Sequence, residues 1–323
     1  MEETKQQPLA LRVCAELAGS LLLCFAIYAF TTWGSAVYGI NVVFAPLATG
    51  LAYAVITALF ARVSGAHLNP AVTVAAVLTS KTKLVDGVLY VIAQVIGAIA
   101  AAFVVVKLLP TSEQVAAKVW LSPAVNGFEQ GSVSYSLLTQ YGITFSSVLA
   151  IVVEVVATLI VVAAAMSTMG KTDASADRYA LTMGGAYALA VAISYPVTGA
   201  GLNPARSTGI ALAAMNQGLT QNPAAQLWIF WVAPVLAAAI VALAIILVQM
   251  AVAPKPVAVK ADADKAAEGE NGLEGLGLSA DDSAAQEKLD LVNEVSGEQS
   301  EEAEVRDEQS DSQSNADEGV ERH

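Results

Sequence analysis

The sequence predicts an all-α membrane protein with six transmembrane helices and two shorter helices that enter the bilayer without crossing it. Three observations lead to this prediction. Of the 323 residues, 55% are hydrophobic and only 14% are charged, against about 25% charged in typical soluble domains. Six apolar runs reach the roughly 20 residues that a bilayer requires. The sequence Leu-Asn-Pro-Ala occurs twice, each time after glycine and inside an apolar stretch.

The long apolar runs come in two groups of three, and each group includes one shorter apolar stretch. The runs cover residues 9–33, 41–61, 86–109, 145–169, 179–198 and 226–250. A stretch of about 15 apolar residues begins at Asn69, between the second and third runs, and a similar one begins at Asn203, between the fifth and sixth. Short, Gly/Pro-interrupted apolar segments in matching places of two halves are typical of membrane transport sites.

Regular spacings indicate that the two groups are copies of one unit. Asn203 follows Asn69 by 134 positions, and Glu154 follows Glu16 by 138 positions, each Glu lying in the first run of its group. Three spans per copy is an odd number, so the second copy must be inverted relative to the first. The predicted repeats cover residues 9–110 and 145–250.

Each Asn-Pro-Ala is predicted to begin a short helix, because Asn is a preferred N-cap and Pro is favoured at the first helical position. In an inverted repeat the two N-termini meet near the midplane, and each carries about half a positive charge. With their oxygens capping backbone, Asn69 and Asn203 are expected to present their amide donors to the lumen. Such a path favours neutral molecules and opposes cations and protons.

Charge predicts the orientation and divides the chain into a body, residues 1–253, and a tail, residues 254–323. The tail holds 20 acidic and 6 basic residues and no aromatic residue, a composition typical of disordered segments. The alternative is that the tail docks a cytoplasmic partner. The expected location is a cell membrane, plasma or inner, and the positive-inside rule places both termini on its cytoplasmic side. The bases that decide this are Lys5, Arg12, Arg62, Lys81, Lys83, Lys171 and Arg178.

The composition argues against several other classes of protein. With two histidines and no Cys/His cluster, an enzyme, a cofactor or a metal site is not expected. An ion channel or proton-coupled transporter would need charged rings or paired acids along its path, whereas Arg206 is the only charge predicted in the lumen. The expected partners are the lipid bilayer and small neutral solutes, not nucleic acid.

The two motifs, His67-Leu-Asn-Pro-Ala-Val and Gly-Leu-Asn-Pro-Ala-Arg206-Ser, resemble the signature of the major intrinsic proteins, the aquaporins and aquaglyceroporins. The resemblance covers residues 9–250 and includes Gln94 and Gly97 in the third run and Phe230 to Pro234 in the sixth. It implies an aquaporin-like right-handed helical bundle, a homotetramer with one pore per subunit, and passive permeation of water.

The resemblance also implies roles for individual residues. The pore motifs are Asn69, Pro70, Ala71, Asn203, Pro204 and Ala205, and the selectivity filter is Thr49, Val191, Ala200 and Arg206. His67 is expected to support its loop and to offer its backbone carbonyl to the pore, or to be a structural histidine only. Glu16 and Glu154 are expected to accept hydrogen bonds from the two loops, a proton relay being the alternative.

The expected filter departs from both familiar patterns of the family. Water-selective members usually have an aromatic residue and a histidine where this chain has Thr49 and Val191, and glycerol channels usually have aromatics at the positions of Thr49 and Ala200. Ser207, Ala211 and the pair Phe230-Trp231 instead match the water-channel pattern. We therefore expect water permeation with passage of small neutral solutes. The alternatives are a facilitator of glycerol, urea or hydrogen peroxide, and a structural membrane protein without flux.

Overall fold

The computed structural model describes residues 7–35, 43–169 and 175–252, which belong to one unit spanning residues 1–254. The predicted tail, together with Lys5 and Lys171, lies outside these residues. The described ranges contain ten α-helices and no strand. The helices are α1 (Leu9–Ala29), α2 (Phe44–Ser64), α3 (Pro70–Leu78), α4 (Leu84–Lys107), α5 (Ala117–Leu121), α6 (Val133–Leu138), α7 (Ser147–Thr168), α8 (Ser175–Thr198), α9 (Pro204–Ala214) and α10 (Ile229–Val252).

Six of the described helices are long and apolar enough to cross a bilayer, and this confirms the six predicted spans. They are α1 with the π-helical turn that continues it to Gly34, and α2, α4, α7, α8 and α10. Their outer faces are apolar as well. On α2, for example, Leu47, Leu51, Val55 and Leu59 form an exposed stripe at intervals of four residues. A helix that is apolar on its outer face suits lipid and not water.

The two predicted short helices are α3 and α9, with 9 and 11 residues. Both are shorter than the apolar stretches that predicted them. Helix α3 ends at Leu78 because Ser80 adopts a left-handed φ of 57°, which turns the chain back. The backbone N–H of Lys81 then donates to the carbonyl of Ala76 over 2.8 Å, a closure typical of helix C-termini.

The helix packing follows the inverted repeat. In each half the first long helix packs on the second and third, α1 on α2 and α4 and α7 on α8 and α10. Each short helix also packs on the third long helix of the other half, α3 on α10 and α9 on α4. The two halves are therefore interlocked and do not form separate bundles.

Hydrogen bonds and ion pairs identify the two ends of the bundle. At the basic end, which carries Arg12, Arg62, Lys81 and Lys83, Arg12 near the start of α1 pairs with Asp86 near the start of α4 over 2.8 Å. Lys81 donates to the carbonyl of Met169, just after α7. Helix α7 thus ends at the basic end, where its repeat counterpart α1 begins. The two helices run in opposite directions, as the inverted repeat predicts. The opposite end, which we call the loop end, carries the 108–146 connection with α5 and α6.

Glycines allow α2 and α8 to cross closely at the centre of the molecule. Gly50 and Gly184 are 134 positions apart, the same offset as the two Asn residues, and they lie against each other. A Cβ atom on Gly184 would lie 2.7 Å from the Cβ of Ala54 and 2.9 Å from the carbonyl oxygen of Gly50. No real side chain fits there unless the helices separate.

This crossing predicts that Gly184→Ala lowers the melting temperature of the detergent-solubilised protein. The added methyl overpacks the α2–α8 contact, at a cost of about 1–3 kcal/mol. Gly185→Ala is the matched control, because a Cβ atom at the neighbouring Gly185 meets no atom within 4 Å. Thermal unfolding followed by intrinsic fluorescence compares the two variants. Equal melting temperatures would contradict the tight crossing.

Candidate functional site

The chain adopts the same unusual backbone just before each short helix. Before each short helix, three residues have a positive φ, and two of the three are not glycine. The residues before α9 lie 134 positions after those before α3. They are Gly65, Ala66 and Leu68 before α3, and Gly199, Ala200 and Leu202 before α9. A left-handed conformation costs a non-glycine residue about 1–2 kcal/mol. Other contacts must therefore hold these loops in place.

Glu16 holds the first loop from α1. One carboxylate oxygen accepts the backbone N–H of His67 over 2.9 Å and the hydroxyl of Ser64 over 2.7 Å. The other oxygen accepts the N–H of Leu68 and the side-chain amide of Gln94, both over 2.8 Å. Four donors offset the cost of burying the carboxylate.

Glu154 holds the second loop from α7 in the same way. Its oxygens accept the backbone N–H groups of Gly201 and Leu202, both over 2.8 Å, and the hydroxyl of Thr198. The two glutamates are completely buried, and all their partners are donors, which come from the loops, from the residues next to them and, for Glu16, also from Gln94 of α4. This arrangement favours the supporting role for Glu16 and Glu154 over a proton relay.

His67 lies in the first loop at the basic side of the site. Its ring packs edge-on against Tyr90 with 5.1 Å between the ring centroids, and its Nδ1 atom lies 3.1 Å from the hydroxyl of Thr73. These contacts favour a structural histidine. The direction of its backbone carbonyl, expected to face the pore, stays a prediction.

The side-chain oxygens of Asn69 and Asn203 cap the two short helices. Asn69 accepts the N–H of Ala71 over 2.8 Å, and Asn203 accepts the N–H of Ala205 over 3.0 Å and that of Arg206 over 3.2 Å. Pro70 and Pro204 occupy the first helical position of α3 and α9. Each triplet thus begins its helix with the local geometry that the residue types favour.

The side-chain amides of the two asparagines bind protein acceptors and do not face the expected open lumen. Asn69 donates to the carbonyl of Leu202 over 2.9 Å and to the hydroxyl of Tyr187 over 2.7 Å. Asn203 donates to the carbonyl of Leu68 over 2.8 Å and to the hydroxyl of Tyr53 over 2.9 Å. Both protons of each amide therefore have a protein acceptor. The reason is that two tyrosines occupy the space next to the asparagines.

Tyr53 and Tyr187 are site residues that the sequence analysis missed. They come from α2 and α8, and their rings are stacked with 3.2 Å between centroids and 7° between planes. A signal was present in the sequence. Tyr53 follows Thr49 by four residues and Tyr187 precedes Val191 by four, so each lies one turn from a predicted filter position on the same helix face.

The four residues predicted for the filter come together around one small cavity. Thr49, Val191, Ala200 and Arg206 all line it, and Asn203 and the two stacked tyrosines line it as well. Its volume is about 20 Å³, and one water needs roughly 10–15 Å³ of such space. The cavity therefore has the size of one water molecule.

Arg206 is held rigidly beside this cavity by the connection at the loop end. Its guanidinium donates to the side-chain oxygen of Asn126 and, over 3.0 Å, to the carbonyl of Ala124. Its own carbonyl accepts the hydroxyl of Tyr28 over 2.6 Å. Its Nε donor is buried and has no partner among the described residues. Asn126 lies outside the sequence motifs, and so no signal in the sequence identifies it as a partner of Arg206.

A third Asn-Pro-Ala shows that the triplet alone does not make such a site. Asn222, Pro223 and Ala224 lie between α9 and α10. The Asn222 side chain accepts the N–H of Ala224 over 3.1 Å, as in the other two triplets. Asn222 is exposed, however, and begins only a turn.

Comparisons with known proteins agree with this geometry. Residues 3–245 match the family model described as "Major intrinsic protein". The chain is 34% identical to a lens fiber major intrinsic protein from Gallus gallus, over 79% of this chain and 86% of that protein. It is 36% identical to an Aquaporin Z from Rhodopseudomonas palustris, over 69% of this chain and 86% of that protein.

A solved structure shares the fold. The X-ray structure of the aquaglyceroporin from Plasmodium falciparum superposes with a TM-score of 0.52 at 20% identity, covering 73% of this chain and 95% of that one. The family model spans most of the chain, and the expected six-span fold with two short helices is confirmed. The chain belongs to the major intrinsic protein family.

Proposed function

We propose that the chain is a passive transmembrane channel for water, and also for small neutral solutes, that excludes protons and ions. The observation that carries the proposal is the meeting of two helix N-termini inside the bilayer. Asn69 and Asn203, which cap them, each donate to a carbonyl of the opposite loop. Relatives of the chain named Aquaporin Z support the same function.

Charge at the site supports the exclusion of cations. Two helix N-termini each contribute about half a positive charge, and the Arg206 guanidinium lies beside the cavity. The cavity lining, as far as the structure describes it, includes no carboxylate. A cation entering here would lose its hydration shell and gain no opposite charge in return.

Size and polarity at the filter support water as the main solute. Val191 and Ala200 offer apolar walls, and Thr49 and Arg206 offer polar groups. Thr49 and Val191 are small, and so slight widening would admit urea, glycerol or hydrogen peroxide. A facilitator of these solutes is the second candidate. A relative named "Glycerol uptake facilitator protein-like 6" supports this second candidate.

The proposal extends to the placement of the chain. We infer a homotetramer in a plasma or inner membrane, with residues 1–253 as the channel and both termini in the cytoplasm. The shared location of Arg12, Arg62, Lys81 and Lys83 at the basic end supports this orientation. The acidic tail, residues 254–323, is then a solvated cytoplasmic segment or a docking segment for a partner. Transport requires no catalysis, cofactor or metal.

Reconstitution into liposomes tests the channel function. In stopped-flow shrinkage, vesicles with the protein are expected to lose water faster than empty vesicles. Val191→Trp should remove the difference, because the indole fills a cavity of about 20 Å³. Parallel assays with glycerol, urea and hydrogen peroxide should show slower but measurable entry. No water flux above empty vesicles would favour a structural role, and flux of water alone would contradict solute passage.

Arg206→Val is expected to weaken selectivity. Loss of the guanidinium widens the filter and removes its positive charge, so that entry of glycerol and urea should rise several-fold and a cation leak should appear. Solute-driven swelling and a proton-sensitive dye inside the vesicles measure both effects. Arg62→Val, at an exposed arginine of the basic end, is the matched control. Unchanged selectivity in Arg206→Val would contradict the filter role.

A further inference from the structure

We propose that Tyr53 and Tyr187 form a gate at the centre of the pore, and that this gate is closed in the present structure. The inference rests on the proposed channel function. It adds a second constriction, one helical turn beyond the filter. This constriction controls how fast solutes pass between the loop end and the basic end.

The stacked rings close the path sterically. With 3.2 Å between the ring centroids and nearly parallel planes, no atom fits between the two rings. Both side chains are almost completely buried, with 2% and 1% of their surface exposed. They line the filter cavity at the side of Asn203. A water in that cavity therefore meets the two rings before it can move further.

The tyrosine hydroxyls also occupy the hydrogen-bonding positions that a passing water would need. Tyr187 accepts from Asn69 over 2.7 Å and Tyr53 accepts from Asn203 over 2.9 Å. The remaining proton of each amide is bound by a loop carbonyl. A permeating molecule must therefore displace the hydroxyls and offer an oxygen acceptor in their place. The gate thus favours small solutes that carry such an oxygen.

Repeat symmetry places the pair on the axis that relates the two halves. Tyr187 follows Tyr53 by 134 positions, the offset of the two Asn residues and of Gly50 and Gly184. Equivalent positions of both repeats therefore carry the same residue. Because α2 and α8 cross at the glycines, the two rings are brought face to face. The pair is a product of the inverted fold.

Repeat symmetry predicts a polar position on the path beyond the gate. Thr57, one turn after Tyr53, is the repeat counterpart of Val191, which lines the filter cavity on the other side. Its hydroxyl is buried and has no partner among the described residues. A buried hydroxyl without a partner is costly, and a water arriving through the gate would satisfy it.

The closed pair can open because weak interactions hold it. Face-to-face stacking is less favourable than offset or edge-on packing, and each hydroxyl–amide hydrogen bond contributes little net stability, because water can replace either partner. The rings need only slide toward an offset arrangement for the path to open. Water, which can replace the hydroxyls as acceptor for both amides, competes directly with the closed state.

The double variant Tyr53→Val/Tyr187→Val tests the gate in proteoliposomes. Its water permeability per channel is expected to exceed that of the wild type several-fold, with a weaker temperature dependence, because no ring must move. Tyr53→Phe/Tyr187→Phe keeps the rings and should conduct less than the Val variant. Tyr141→Val, at an exposed tyrosine outside the pore, is the control. Far-UV circular dichroism and gel filtration verify that each variant is folded.

The outcomes separate the gate from the channel function. If the wild type already conducts as fast as the Val variant, the gate is wrong and the channel function stands. If the Phe and Val variants conduct equally, the rings are not the barrier and the gate is wrong as stated. If neither the wild type nor the folded Val variant exceeds empty vesicles, the channel function is wrong and the gate falls with it.

Discussion

Non-helical backbone inside a bilayer must find a partner for every N–H and C=O group, because lipid supplies none. The segments 65–69 and 199–203 are such backbone, and the rest of the site depends on how they are satisfied. Glu16 and Glu154 accept their N–H groups, and Asn69 and Asn203 bind carbonyls across the two halves. The left-handed residues persist because these contacts leave the loops no alternative conformation.

The inverted repeat applies this arrangement twice, and the differences between the copies are as informative as the matches. Arg206 follows Val72 by 134 positions, so only one half carries a charge directly after its triplet. Gln94 donates to Glu16, whereas in the other half Phe230 packs closely against Gly201. The duplication therefore builds a symmetric centre, and single substitutions make the loop end chemically different from the basic end.

The predicted features agree with the structure where local chemistry decides them. Six apolar runs of sufficient length became six spans, since a helix is the only single segment that satisfies its own backbone in lipid. Asn before Pro caps the turn that follows it in all three triplets, and the turn continues as a helix after Asn69 and Asn203 but not after Asn222. The asparagine amides do not face the open lumen that residue types alone predict, because α2 and α8 bring the side chains of Tyr53 and Tyr187 to the same point.

The sequence by itself determined the membrane class, the six spans, the duplication and the residues at the two helix N-termini, because these follow from hydrophobicity, spacing and capping. Tertiary structure decided the rest. It brought Thr49, Val191, Ala200 and Arg206 around one cavity, fastened Arg206 to Asn126, and stacked Tyr53 on Tyr187 between the asparagines. These partners lie far apart in the chain, and their contacts depend on the glycine-mediated crossing of α2 and α8 and on the interlocking of the two halves.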